Sequence, residues 1–90
     1  MVKEKTKAKN KEKEKAGLNK ELILHNDDFN TFDFVIDTLI EVCAHEPFQA
    51  EQCAIIVHYK GKCPVKSGNK VALKPLCQEM IKRGLTVSID

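Results

Sequence analysis

The sequence predicts an α+β, two-layer domain in the order β-α-α-β-α-β, a small three-stranded antiparallel sheet with three helices. Three observations carry that prediction. Short apolar or alternating stretches stand at residues 21–25, 62–66 and 85–89, and each has the length of a strand. Longer segments between them repeat apolar residues at helical spacing. Two helices follow one another before the second strand, which suits helices gathered on one side of a small sheet.

Residues 1–20 are mostly Lys, Glu, Ala, Asn and Thr. Such a segment buries too little apolar surface to offset the entropy of ordering, so a disordered N-terminal extension is expected, with the folded domain at residues 21–90. Glu21-Leu22-Ile23-Leu24-His25 reads as a strand closed by a turn at Asn26-Asp27. Asn30 is the expected N-cap of the first helix, with Asp33 three positions on as a short-armed capping box. Phe34, Val35, Thr38, Leu39, Val42 and Cys43 then form an inward stripe, and the helix runs to about Ala44.

Glu46-Pro47 opens the second helix, because proline is tolerated at the first helical position. Ala50, Cys53, Ala54, Ile56 and Val57 give its apolar face, and Gly61 stops it. Residues 62–66 form the second strand, which Pro64 restricts to an edge or a strand start. Ser67-Gly68-Asn69 is a turn. The third helix is expected over 71–83, with Leu73, Leu76, Cys77, Met80 and Ile81 inward. Pro75 favours a start close to it over a start at Asn69 with a kink. Gly84 ends this helix, and Leu85, Val87 and Ile89 alternate as a half-buried strand.

Composition bounds the function. Ninety residues make one small domain with little room for a deep enzyme cavity. A net charge of +2, from 15 Lys and Arg against 13 Asp and Glu, gives no strong case for nucleic acid. No run approaches the roughly 18 apolar residues of a membrane span, and the first residues lack the apolar core of a signal peptide. Cys43, Cys53, Cys63 and Cys77 include no C-x-x-C pair, so zinc is not expected. Reduced thiols in a cytoplasmic protein, mostly filling the core, are the expectation, with no cofactor and a monomeric state.

The stretch at Asn26-Asp27-Asp28 is where chemistry is expected. An ammonium group has three N–H donors and one charge, and it needs about three acceptors, one of them anionic. Asn26, Asp27 and Asp28 supply an amide oxygen and two carboxylates, and a neutral His58 can add an acceptor nitrogen. The constellation suits a free protein amino terminus. Asn-Asp-Asp is also a common turn composition, and His58 can be an ordinary boundary residue. A metal or hydrolase site at Asp27, Asp28 and His58 lacks a nucleophile and a phosphate loop.

Leu24-x-Asn26-Asp27-Asp28-Phe29-x-x-Phe32-Asp33-Phe34-Val35, followed by Val57-His58-Tyr59-Lys60-Gly61-Lys62, resembles the ClpS family over residues 21–90. These are non-enzymatic adaptors that deliver N-degron substrates to a Clp AAA+ protease, built on the same α+β fold. The resemblance implies that Asn26, Asp27 and His58, with Asp28 outside them, hold the α-amino group of a substrate. It implies an apolar pocket for a first residue such as Phe, Leu, Tyr or Trp, formed by Asn30, Phe32, Val35, Ala54, Val57 and Leu85. It implies docking through Lys70 on a ClpA- or ClpC-like unfoldase with its peptidase, and an N-terminal extension that engages the unfoldase pore. A protein-interaction domain of the ribosomal-stalk type, with no preference for free amino termini, is the alternative.

The chain departs from the family pattern in several places. Asn30-Thr31 stands where Thr-Pro is common. Phe32 replaces a gating Met, and Ala54 replaces a second bulky residue, which predicts a reshaped apolar pocket. The segment between Cys63 and Lys70 is a few residues shorter, which loses acidic and threonine docking positions. His25 replaces an aliphatic residue and has no assigned role.

Overall fold

The computed structural model describes residues 20–90. Its elements are β1 (Lys20–His25), α1 (Phe32–Cys43), α2 (Pro47–Lys60), β2 (Lys62–Gly68), α3 (Lys70–Lys82) and β3 (Thr86–Ile89). The order is the β-α-α-β-α-β expected from the sequence. The expected extension lies outside the described residues, except for Lys20, which opens β1.

β1 is the central strand of an antiparallel sheet in the order β2-β1-β3. Its residues Leu22, Ile23 and Leu24 are all buried. Leu22 and Leu24 face the helices, where they join Leu39, Val57, Leu73, Met80 and Leu85 in the core. Ile23 points to the opposite face, as alternation along a strand requires. β2 is an edge strand. Pro64 pairs with Ile23 beside a register shift in which Leu22 faces Lys66, so the missing N–H falls at an edge irregularity where it is tolerated.

Side-chain caps and glycines close most helix ends, and two of the ends differ from expectation. Thr31, not Asn30, caps α1: its hydroxyl accepts from the Phe34 N–H at 3.1 Å. Asn69 caps α3, its side-chain oxygen accepting from the Ala72 N–H at 2.7 Å, so the helix starts at Lys70 rather than beside Pro75. Pro75 lies inside the helix and withholds a donor from the carbonyl of Val71. Val71 is exposed, so water can serve that carbonyl. Gly61, at φ 95°, closes α2 and turns the chain at once into β2.

The inward stripes are narrower than periodicity predicts. Phe34, Ile56 and Ile81 face solvent to a substantial degree, whereas Thr38, Leu39 and Cys43 of α1 are buried. A three-stranded sheet is too small to cover a broad apolar arc on each of three helices. His45, in the connection between α1 and α2, is also buried, and its Nε2 donates to the Val65 carbonyl at 2.7 Å. That bond pins the helical hairpin to the irregular part of β2. All four cysteines are free thiols. Burial pushes the Cys43 thiol up to about 11 and the Cys63 thiol to about 12, which makes both poor nucleophiles.

Candidate functional site

β1 ends at His25, and the following turn is held from two sides. The Asn26 N–H donates to the Gly61 carbonyl at 2.9 Å, which ties the turn to the end of α2. The Asp27 carboxylate then organises the turn from within. Its Oδ1 accepts from the Phe29 and Asn30 N–H groups, each at 2.9 Å, as a short polar side chain does when it closes its own turn. Its Oδ2 accepts from the Asn30 side-chain amide at 2.9 Å. Partial burial raises the Asp27 pKa, but these three donors outweigh it and hold the carboxyl below its ordinary value.

A carboxylate offers about four lone-pair sites. Three are occupied, so one on Oδ2 stays available to an incoming donor. The turn reading and the cation-site reading are therefore compatible: the carboxylate builds the turn and retains charge and acceptor capacity.

This turn forms one rim of an open cleft of about 380 Å³. Asn26, Asp27, Asp28 and Asn30 line it from the turn, Phe32 and Val35 from the start of α1, and Ala54, Val57 and His58 from α2. Sequence positions some thirty residues apart converge here because α1 and α2 pack as an antiparallel hairpin. The N-terminal turn of α1 thus meets the C-terminal turn of α2. The wall divides by chemistry: acceptors cluster at the turn and at His58, and the remaining surface is apolar. The Tyr59 ring stands edge-on to the His58 ring at 4.9 Å.

Leu85 lines a narrower space of about 20 Å³ that adjoins the cleft and shares Asn26, Asp27, Asn30, Val35 and Val57 with it. Leu85 immediately follows the turn at Gly84, and it is buried in the core. Lys70 is the exposed first residue of α3 and does not line the cleft. Among the described residues, no three His, Cys, Asp or Glu side chains come together as metal ligands. No helix among them is long and apolar enough to cross a membrane.

Two contacts escaped the sequence. His25, given no role, meets the Ser88 hydroxyl through Nε2 at 2.8 Å and so joins β1 to β3. Asn30, placed as a cap and a pocket wall, donates from its amide to Asp27 and also to the Gly84 carbonyl at 3.0 Å. No local pattern signals a partner that distant in the chain.

A family model described as "ATP-dependent Clp protease adaptor protein ClpS" matches residues 17–88. The ATP-dependent Clp protease adapter protein ClpS of Nitratidesulfovibrio vulgaris is 45% identical over 40 residues, which are 44% of this chain and 40% of the relative. That of Erwinia tasmaniensis is 44% identical over 41 residues, 46% of this chain and 39% of the relative. The matched stretches thus span about two fifths of these relatives' length. The structure of Agrobacterium tumefaciens ClpS2 bound to L-phenylalaninamide superposes with a TM-score of 0.69, at 18% identity, covering 82% of this chain and 96% of that one. At that identity the likeness speaks for the fold.

Proposed function

The chain belongs to the ClpS family of Clp protease adaptors, and from that premise we propose that it captures proteins by a large hydrophobic first residue and hands them to a Clp AAA+ unfoldase. The observation that carries this reading is the division of the cleft. Acceptors and an anionic carboxylate stand at one rim, and an apolar wall of Phe32, Val35, Ala54 and Val57 lies beside them.

A substrate's α-ammonium meets the free site on Asp27 Oδ2, the Asn26 amide oxygen and a neutral ring nitrogen of His58, with Asp28 adding negative charge. The first side chain then enters the apolar part. Burying a Phe or Leu side chain is worth about 2–3 kcal/mol, so a small or charged first residue forfeits most of that gain. The phenylalaninamide bound to the Agrobacterium protein presents the same pair of groups, a free amine and an aromatic side chain. Residues 21–90 are the adaptor core in this reading. Residues 1–20 engage the unfoldase, ClpA- or ClpC-like, and Lys70 contributes to docking. The protein is a cytoplasmic, non-enzymatic monomer.

The test is fluorescence anisotropy with short peptides that differ only in the first residue. Phe and Leu are expected to bind at micromolar concentrations or tighter, with Glu and N-acetyl-Phe failing. Equal binding of Phe and N-acetyl-Phe would exclude recognition of the amine. His58→Ala is also expected to weaken binding of Phe, and an unchanged affinity would remove His58 from the site.

A further inference from the structure

Asn30 is the junction between the turn that carries Asp27 and the last turn of the fold. α3 ends in two crossed bonds: the Gly84 N–H donates to the Ile81 carbonyl at 2.9 Å, and the Leu85 N–H to the Met80 carbonyl at 3.0 Å. This is the Schellman arrangement, and Gly84, at φ 91°, holds its left-handed position. The cap consumes both N–H groups and leaves the Gly84 carbonyl without a partner inside the helix. Asn30 supplies one, through Nδ2 at 3.0 Å.

The same nitrogen donates to Asp27 Oδ2 at 2.9 Å. An amide nitrogen has two hydrogens, and both partners are acceptors, so the orientation of the amide is fixed and its donors are fully used. The Asp27 carboxylate is consequently anchored on two sides. Its own turn is tied to the end of α2 by the Asn26–Gly61 bond, and the Asn30 amide ties it to the turn before β3.

We propose that Asn30 is a positioning residue for recognition of the substrate amine: its amide clamps the Asp27 carboxylate and anchors it to the Gly84 carbonyl. This inference rests on the amine-binding reading above. A carboxylate held in place before the ligand arrives loses no further freedom on binding, and preorganisation of this kind raises affinity. Without the clamp, Asp27 keeps the two backbone donors on Oδ1 but can rotate Oδ2 away from the cleft. A residue that merely walls the pocket acts differently, because there only bulk and apolarity matter.

Asn30→Leu separates the two roles, since leucine keeps the approximate shape and removes both donors. Asn30→Ala serves as the second variant. The carboxyl of Asp27 is followed by NMR titration without any ligand, and peptide affinity is measured with the free Phe peptide. Other ionisable groups near Asp27 are Asp28 in the same turn, His25 on β1 and His58 on α2. Arg83, beside Gly84, is engaged by Glu41 and Glu79. All of these are unchanged in the variants.

The expected result is an upward move of the Asp27 titration in both variants, with Phe-peptide affinity about tenfold weaker, as for one lost charge-assisted bond. A titration that superimposes on the wild type's, or an Asn30→Leu protein that binds as tightly as wild type, overturns the proposal. A wild-type protein that binds no Phe peptide overturns the amine reading instead, and the ligand-free titration tells the two failures apart.

Discussion

Replacing Asp27 with asparagine is expected to weaken binding of a Phe-initiated peptide about a hundredfold, roughly 2.7 kcal/mol. Asparagine keeps the size of the side chain and an oxygen that can accept from the Phe29 and Asn30 N–H groups. It removes the charge, and it sets a second amide nitrogen against that of Asn30. Asp27→Ala removes all three acceptor bonds and is expected to abolish binding and to loosen the turn as well. Comparing the two variants separates charge from architecture. Binding of Asp27→Asn within about threefold of wild type, about 0.65 kcal/mol, would place the ammonium elsewhere.

The pH dependence of this variant follows from the direction of the Asp27 shift. A carboxyl held below its unfolded value, 3.8, stabilises the fold fully above that pH. The contribution is lost as the pH falls through the lower, folded value. The stability gap between wild type and Asp27→Asn is therefore expected to stay constant from pH 5 to 8 and to close under strong acid. Chemical denaturation at a series of pH values measures it.

Leu39→Ala is expected to cost about 3 kcal/mol of folding stability. Leu39 is 0% exposed, on the face of α1 that packs into the core with Leu22, Leu24, Val57 and Met80. A small domain has a total stability of about 5–15 kcal/mol, so the loss is a large fraction of the whole. Ile81→Ala is the matched control. Ile81 falls on the apolar stripe that the sequence assigns to α3, yet it is 55% exposed, and its truncation is expected to cost about 0.5 kcal/mol. Urea unfolding of both variants decides the matter, and equal losses would show that the burial pattern is misassigned.

Much of the molecule was legible in the sequence because it rests on short-range rules. Alternation and helical spacing gave the six elements in order, and Pro47, Gly61 and Gly84 marked ends that depend on the residue's own backbone preferences. Pro64 restricted β2 to an edge or a strand start, because a central strand needs the N–H that proline lacks, and β2 is an edge strand. The acceptors of the candidate site were legible from their type: Asn26, Asp27, Asp28 and His58 carry the chemistry an ammonium requires wherever they are placed. The Asn-Asp-Asp turn and the Val-His-Tyr end of α2 also mark the family.

Tertiary structure alone decided how those groups are used. Asn30 and Thr31 are both competent caps, and local chemistry does not choose between them. Thr31 caps α1, while the Asn30 amide is engaged by Asp27 and by Gly84, which lies 54 residues away in the chain. Leu85 is likewise placed by packing: its N–H is held by the Met80 carbonyl in the cap of α3, and it lines the narrow space that shares Val35 and Val57 with the cleft. Phe34, Ile56 and Ile81 were left outside since periodicity reports which residues share a helix face, not how much of that face a neighbour covers. The sequence by itself determined the elements and the chemical character of the site. The meeting of Asn30 with Gly84, and with it the fixed geometry of Asp27, came from packing, since a hydrogen bond depends on which donor arrives within about 3 Å and at what angle.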